Sequence, residues 1–461
     1  MKKGLRPIFM IWVIAVLMLT ACGQGAANET PGSISETGGE TAQPGAPAQE
    51  GQQPAGEKTA IKLATWAGVD EARELQAIID RLNGESETYT ITVESSPSEY
   101  WTKVQTTLAG GTAADLLWVD QEHLPDLAQK GALLDITERV TNDTEHPAAK
   151  LDDYFESTIQ AYHFQDKLYG LPWIGMPVML YVNLDAAAEA GIDPATINDW
   201  TWEDFQQACV QLTRDANGNT PDTDGFDAGS VRQYGFSLVP GWPPVQQFIW
   251  QAGGEVISED LTQSPIDSPE AIEGANFVAS LANDFQCTPA QSVISERGFG
   301  EMMKAGQVAM FMGGAADDFE RTEGKNIQAF LLPQGPANRD NWAYIGGMAI
   351  NAQSQNADAA YEAFMDLSQA IQEWKVPSPR MSLATREGIV KAAPYKEVSA
   401  DNIIANMEHM RAPHIFPRYA EWATIFGERF VDPLVRGNGT AEELSTEVRP
   451  LREDVMGQSS Q

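Results

Sequence analysis

Between Ile61 and Gly131, apolar runs of strand length alternate with stretches of helical periodicity. That alternation limits the fold of this 461-residue chain more than any other feature. Ile61–Trp66 reads as a strand. Within Val69–Leu82 the apolar residues Leu75, Ile78, Ile79 and Leu82 recur at helical spacing. Tyr89–Val93 alternates as a second strand. Ser98 is placed to cap a helix running to Leu108, and Gly110-Gly111 stops it. Asp115–Asp120 is a third, apolar strand, followed by a helix through Leu124, Leu127 and Ala128 to Gly131. A β-α-β-α-β order predicts a parallel sheet with helices on both faces. Ligands of such sheets bind beyond the carboxyl ends of the strands. Trp66 and Asp120 stand at two of those ends.

The middle of the chain changes style. Lys167–Trp173 is a turn into an extended segment, Val178–Val182 a strand and Ala186–Ala190 a short helix. Thr201, three residues before Asp204, opens a helix with a capping-box pattern. A polar loop from Asp215 to Gly229 precedes helices at Pro244–Ala252, Pro269–Asp284 and Arg297–Ala305, then a strand at Val308–Met312.

Lys2, Lys3 and Arg6 lead an uncharged apolar run, Pro7–Leu19, shorter than the ~20 apolar residues that span a bilayer. It ends in Leu19-Thr20-Ala21-Cys22, the form of a secretory signal with a small-residue cleavage site. The terminal cysteine resembles a bacterial lipobox, which implies that residues 1–21 are removed and that the Cys22 thiol takes a diacylglyceryl group. Two acyl chains hold a protein on a membrane where one binds marginally. An ordinary secretory signal that happens to carry a cysteine is the alternative. From residue 22 to 58 the only large apolar side chain is Ile34. Such a segment is expected to be a disordered tether, its ends roughly 30–35 Å apart.

The remaining body is long enough for two domains. The formal net charge of −35 argues against a nucleic-acid partner, which needs Lys and Arg patches. It fits solubility in an exposed environment better than a dedicated cationic ligand. Beside Cys22 stand Cys209 and Cys287, an even pair. A disulfide and two separate buried thiols are both open, because sequence does not give their separation.

Several phrases in the body match a known pattern. They include Leu127-Ala128-Gln129-Lys130-Gly131-Ala132-Leu133-Leu134-Asp135-Ile136-Thr137, Lys167-Leu168-Tyr169-Gly170-Leu171-Pro172 and Tyr181-Val182-Asn183. Others are Thr201-Trp202-Glu203-Asp204-Phe205, Gly306-Gln307-Val308-Ala309-Met310 and Ile345-Gly346-Gly347-Met348-Ala349-Ile350. In this order they resemble the extracellular solute-binding proteins of ABC importers, in the sugar-binding group that includes maltose-binding protein. The resemblance covers about Ile61 to Phe364 and thins towards the C-terminus, where Pro379-Arg380 and Trp422 remain. It implies an α/β, two-lobed periplasmic-binding-protein-like fold of type II, its lobes joined by several crossing segments with a ligand cleft between them. The expected lobes are residues 59–177 plus 332–375, and 178–331 plus 376–456. The implied function is a carbohydrate receptor, with an oligosaccharide favoured. It would be lipid-anchored on the extracytoplasmic face of the cell membrane, monomeric, and would deliver ligand to an ABC permease without doing chemistry. A secreted glycoside-acting enzyme and a receptor for a polyol phosphate are the alternatives.

The candidate ligand-binding residues are Trp66, Asp120, Trp173, Trp242, Gly313, Trp342 and Arg380. A pyranose offers an apolar C–H face that fits an aromatic plane, while its hydroxyls point sideways to carboxylates and amides. Each Trp has a core role as its alternative; Trp118 and Trp202 are assigned to the core. Asp120 either accepts sugar hydroxyls or caps the following helix. Gly313-Gly314 either lets backbone approach a ligand or forms a plain turn. Arg380 rests on the resemblance alone. Asp215-Ala216-Asn217-Gly218-Asn219 opens like a calcium loop but has Thr220 where glycine is expected and no closing Glu. Asx turns explain the same pattern without metal. The sequence has no Gly-x-Ser-x-Gly, no Walker loop and no His-Glu-x-x-His.

Overall fold

The computed structural model describes residues 58–237 and 245–459; Cys22, the tether and Trp242 lie outside them. Strand β1 (Thr59–Thr65) pairs in parallel with β2 (Tyr89–Ser95) and β3 (Leu116–Asp120). The connecting helices are α1 (Val69–Glu85) and α2 (Tyr100–Ala109), with α3 (Leu124–Gln129) after β3. The periodic residues Leu75, Ile79 and Leu82 of α1 are buried, as the spacing requires. One start signal differs from expectation. Ser98 does not cap α2; the chain enters the helix through Glu99 at φ +58°, in the left-handed region, with no side-chain cap.

β4 (Gly170–Asn183) is the spine of the molecule. Its first half pairs antiparallel with β8 (Asn341–Ile350) and its second half with β6 (Val308–Gly314) and β7 (Ile327–Phe330). The other elements of this region are α4 (Trp202–Leu212), β5 (Val231–Ser237), α5 (Gln246–Gln251), α6 (Pro269–Asn283) and α7 (Gln291–Arg297). β5 runs parallel to β6, so the continuous sheet has the order β2-β1-β3-β8-β4-β6-β5. Helices α8 (Ala357–Trp374), α9 (Tyr419–Phe426), α10 (Asp432–Val435) and α11 (Ala441–Ser459) complete the body. The expected helix at Arg297–Ala305 is broken: Gly298 at φ +79° separates α7 from a second helix at Phe299–Lys304. Among the described residues no helix is long and apolar enough to cross a membrane.

Packing divides along β4. Residues up to Ile174 join one core with Ile61, Leu75, Trp118 and Phe364, whereas from Val178 onward the chain enters cores containing Phe205, Phe236 and Phe311. β8 divides in the same way, with Trp342 in the second core and Ala343 and Ile345 in the first. The fold is mixed α/β and two-lobed, and the crossing strands bring both cores to one seam. Trp118 and Trp202 are core residues, as expected, and Trp202 stacks on Phe277 with ring centroids 3.9 Å apart.

Thr201 forms the anticipated capping box with Asp204. Cys209 of α4 and Cys287 form a disulfide, with Cα atoms 5.6 Å apart and both residues fully buried. In the polar loop, Asp215 Oδ1 accepts from the amides of Asn217 and Asn219, each at 2.8 Å. Its Oδ2 accepts from Asp227 N at 3.1 Å and Asn219 Nδ2 at 3.2 Å. Both oxygens are thus committed to N–H donors, the Asx-turn pattern. Among the described residues no group of three or more His, Cys, Asp or Glu is arranged to hold a metal ion.

Candidate ligand cleft

The carboxyl ends of β1 and β3 and the crossing strands β4 and β8 meet in an aromatic cluster. Trp66, half-buried just beyond β1, packs edge-on against Tyr100 at 5.4 Å and Trp118 at 5.2 Å. It also lies 6.0 Å from Trp101 and 6.1 Å from Trp173. Gly346 permits this crowding, because a Cβ there would sit 3.2 Å from the Trp173 ring. Trp66, Trp173, Met176 and Tyr344 line a cavity of about 360 Å³, together with Lys375 and Arg321. Trp173 is 3 % exposed and its Nε1 has no hydrogen-bond partner among the described residues. A buried, unpaired indole N–H is costly in isolation and suits an oxygen acceptor on a ligand.

A second cavity, of about 560 Å³, begins two residues away on β8. It is lined at that end by Glu122, Gln246, Trp342 and Tyr419. Trp342 and Tyr344 share a face of β8 by strand periodicity, and their rings lie 6.4 Å apart. One cavity thus lies on the Trp342 side and the other on the Tyr344 side of this aromatic pair. Both volumes lie within the roughly 300–1,000 Å³ usual for small-molecule sites.

Of the acidic residues at the end of β3, Glu122 lines the larger cavity and Asp120 lines neither. Asp120 Oδ1 accepts from the amides of Glu122 and His123 at 3.0 Å each and contacts His123 Nδ1 at 2.7 Å. These bonds close an Asx turn ahead of α3 and do not cap it: the N-cap of α3 is His123, with no side-chain cap. The contact with Nδ1 orients the His123 ring, which stacks on Trp101 at 3.6 Å and 9°. Burial raises the Glu122 carboxyl to about 7, with Asp120 adding to the shift and His123 opposing it. The Tyr344 hydroxyl is likewise pushed well above its ordinary value by burial, then by the charges of Asp120, Glu122 and Glu71. The seam is thus rich in hydrogen-bond acceptors beside aromatic faces.

Glu122 gives a pH prediction. Its folded value lies above the ordinary carboxyl value, so folding favours the protonated form. Its contribution to ligand-free stability is present below about pH 4.5 and is lost as the pH rises through about 7. Denaturant midpoints measured from pH 4.5 to 8 should fall more steeply for the wild-type chain than for Glu122→Gln. Parallel curves would remove the buried carboxyl.

The other sequence candidates separate. Gly313 lines neither of these two cavities. A Cβ there would meet Phe319 at 2.8 Å and one on Gly314 would meet the Met176 sulfur at 2.4 Å, while Gly314 N donates to Asp317 Oδ2 at 2.8 Å. The glycine pair is explained by close protein packing and a turn. Arg380 also lines neither cavity. It is 4 % exposed, its Nε lies 2.9 Å from Asp153 Oδ2 and its Nη1 donates to Gln369 at 2.6 Å. A buried guanidinium needs such a partner, and this one is committed to it. Trp242 falls outside the described residues. Conversely, Glu122, Tyr344 and Tyr419 had not been singled out; an acidic residue two positions beyond Asp120 was the one available signal.

The sequence profile of the bacterial extracellular solute-binding proteins matches residues 67–367. The chain belongs to that family. A search of curated protein sequences finds no match. Among solved structures, the chain is similar to the ABC substrate-binding protein Lmo0181 from Listeria monocytogenes in complex with cycloalternan. The TM-score is 0.71 at 21% identity, covering 87% of this chain and 100% of that one. The sugar-binding protein MalE from Xanthomonas citri gives 0.71 at 17% identity, covering 87% and 98%. A cyclo/maltodextrin-binding protein complexed with maltotetraose gives 0.67 at 18%, covering 89% and 99%. At these identities the likeness establishes the fold.

Proposed function

We propose that this solute-binding protein captures a carbohydrate, an oligosaccharide in preference to a monosaccharide, by closing its lobes. It then hands the ligand to a membrane permease of an ABC importer and does no chemistry on it. The observation that carries this reading is the pair of cavities that flank the aromatic residues Trp342 and Tyr344. The smaller cavity offers the Trp66 ring and the unpaired Trp173 N–H, the larger offers Trp342 and the Glu122 carboxyl, and Asp120 stands two residues before Glu122. Planar apolar faces beside hydrogen-bond acceptors match the faces and hydroxyls of pyranose rings. The sugar ligands of the structurally similar receptors support the same class. Trp66, Trp173 and Trp342 are assigned to ring faces and Asp120 and Glu122 to hydroxyls. Gly313 and Arg380 are left to the scaffold. Incubation with oligosaccharides should release no reducing ends; their appearance would turn the reading to a glycoside-acting enzyme.

The Leu19-Thr20-Ala21-Cys22 sequence supports attachment of this receptor to the extracytoplasmic face of the cell membrane through lipid on Cys22. Cys22→Ala should abolish lipid labelling and release the protein from membranes without altering its unfolding temperature. Retention of that variant at high salt would contradict lipid anchoring.

A further inference from the structure

The ring faces that line the smaller cavity, Trp66 and Trp173, both pack with the first core. From the other side come two short turns, Phe319–Arg321 and Pro394–Lys396, which line the same cavity through Arg321 and Tyr395. Phe319 packs edge-on against Phe311 of the second lobe, with ring centroids 4.8 Å apart. A buried ion pair joins the two turns. Lys396 is fully buried and donates to Glu320 Oε2 at 3.2 Å and to the Asp317 carbonyl, and the Glu320 side chain is 2 % exposed. Taking both charges out of water carries a cost that can exceed their attraction. The residues that this pair holds in place are its next neighbours in sequence, Arg321 and Tyr395. They stack on each other, with the guanidinium carbon 5.2 Å from the centre of the Tyr395 ring.

Among the described residues four charged side chains line this cavity, and three of them are committed. Lys375 is hydrogen-bonded to Glu71, and Glu74 Oε2 accepts from Trp374 Nε1 at 3.0 Å. Arg321 differs. Its Nη1 lies 3.6 Å from Asp318 Oδ2, too far for a hydrogen bond, and both side chains are mostly exposed. We infer that Arg321 is the second lobe's ligand contact in the smaller cavity, donating to hydroxyls of the bound sugar, and that Tyr395 positions it. The inference rests on the sugar-receptor reading. A planar guanidinium presents paired N–H donors that two adjacent hydroxyl oxygens can accept together. Stacking on Tyr395 restricts its rotation, so less freedom is lost when ligand binds. Burial raises the Tyr395 hydroxyl above its ordinary value; the carboxylates of Asp318, Glu320 and, from α1, Glu74 add to the shift, and Arg321 opposes it. The two sides of the cavity are thus close enough for Glu74 to act on Tyr395. A sugar packed on Trp66 and bonded to Arg321 touches both lobes and favours the arrangement in which they close.

Calorimetric titration of the full chain with maltose, maltotetraose, cellobiose, lactose and xylobiose gives the reference affinity of whichever sugar binds. Arg321→Gln should weaken that sugar at least about tenfold, the effect of removing a charged hydrogen-bond donor. The unfolding temperature without ligand should stay where it is, because the Arg321 side chain is exposed. Arg321→Lys keeps the charge without the planar fork and should recover little of the loss. Tyr395→Leu should weaken binding severalfold in the wild-type background and not at all in the Arg321→Gln background, as a residue acting through Arg321 must. Unchanged affinity in Arg321→Gln, or full recovery in Arg321→Lys, overturns the inference and leaves the sugar reading standing. An equal loss from Tyr395→Leu in both backgrounds overturns its positioning role. A wild-type chain that binds none of the five sugars removes the sugar reading, and the inference with it.

Discussion

Replacing Cys209 and Cys287 together by Ser is expected to lower the unfolding free energy by about 4–5 kcal/mol. The bridge closes a loop with a sequence separation of 78, and the chain-entropy cost that it removes from the unfolded state grows with the logarithm of loop length. It also ties α4 to the segment after α6, where Phe236 N donates to Cys287 O at 3.1 Å. Both cysteines sit within the same core as Phe205 and Phe277. The loss should appear as a lower denaturant midpoint in the oxidised-versus-variant comparison, and mass spectrometry of the unreduced protein should find no alkylatable thiol at either position. Two free thiols in the folded, exported protein, or a loss below about 1 kcal/mol, would contradict a bridge of this kind.

The second large effect is on binding. Trp66→Ala is expected to weaken carbohydrate binding by about 1.5–3 kcal/mol, a tenfold to hundredfold loss of affinity. Trp66 is half-buried and lines the smaller cavity, whereas Trp173 and Trp342 are each 3 % exposed. Truncating either of those two would damage the core as well and confound the result. Trp66 also packs on Tyr100 and Trp118, so some loss of ligand-free stability accompanies its removal. The informative number is the affinity of the folded variant. Asp120→Asn should cost a comparable amount, since it weakens the hold on His123 and removes a charged acceptor. An unchanged affinity with a large fall in unfolding temperature would return Trp66 to the core.

The alternation in the first lobe was legible because it is local: β1, α1, β2 and β3 each follow from periodicity within a single segment. The capping box at Thr201 was legible for the same reason. Sites assembled from distant segments were not. Glu122 and Tyr419 line one cavity although nearly three hundred positions separate them, and no pattern within either segment announces the other. Arg380 shows the converse. Its basic charge invites a ligand reading, but the carboxylate that satisfies it, Asp153, lies 227 positions away. Asp120 was partly legible: its carboxylate takes the N–H groups that follow the strand, but it closes an Asx turn in place of the expected helix cap. The glycines at 313 and 314 were ambiguous in sequence because close packing against Phe319 and Met176 and close approach of a ligand demand the same residue.

The most direct test of the receptor reading is thermal unfolding of the protein against a panel of mono- and oligosaccharides, with tryptophan fluorescence recorded on the same samples. At a hundredfold over its dissociation constant, one class of sugar should stabilise the folded state by ~2.7 kcal/mol. The same sugar should shift or quench the emission of the indoles at the seam, and in Trp66→Ala at matched concentration the stabilisation should fall to roughly 0.4–1.4 kcal/mol. A panel in which no carbohydrate moves the unfolding temperature or the fluorescence would contradict it.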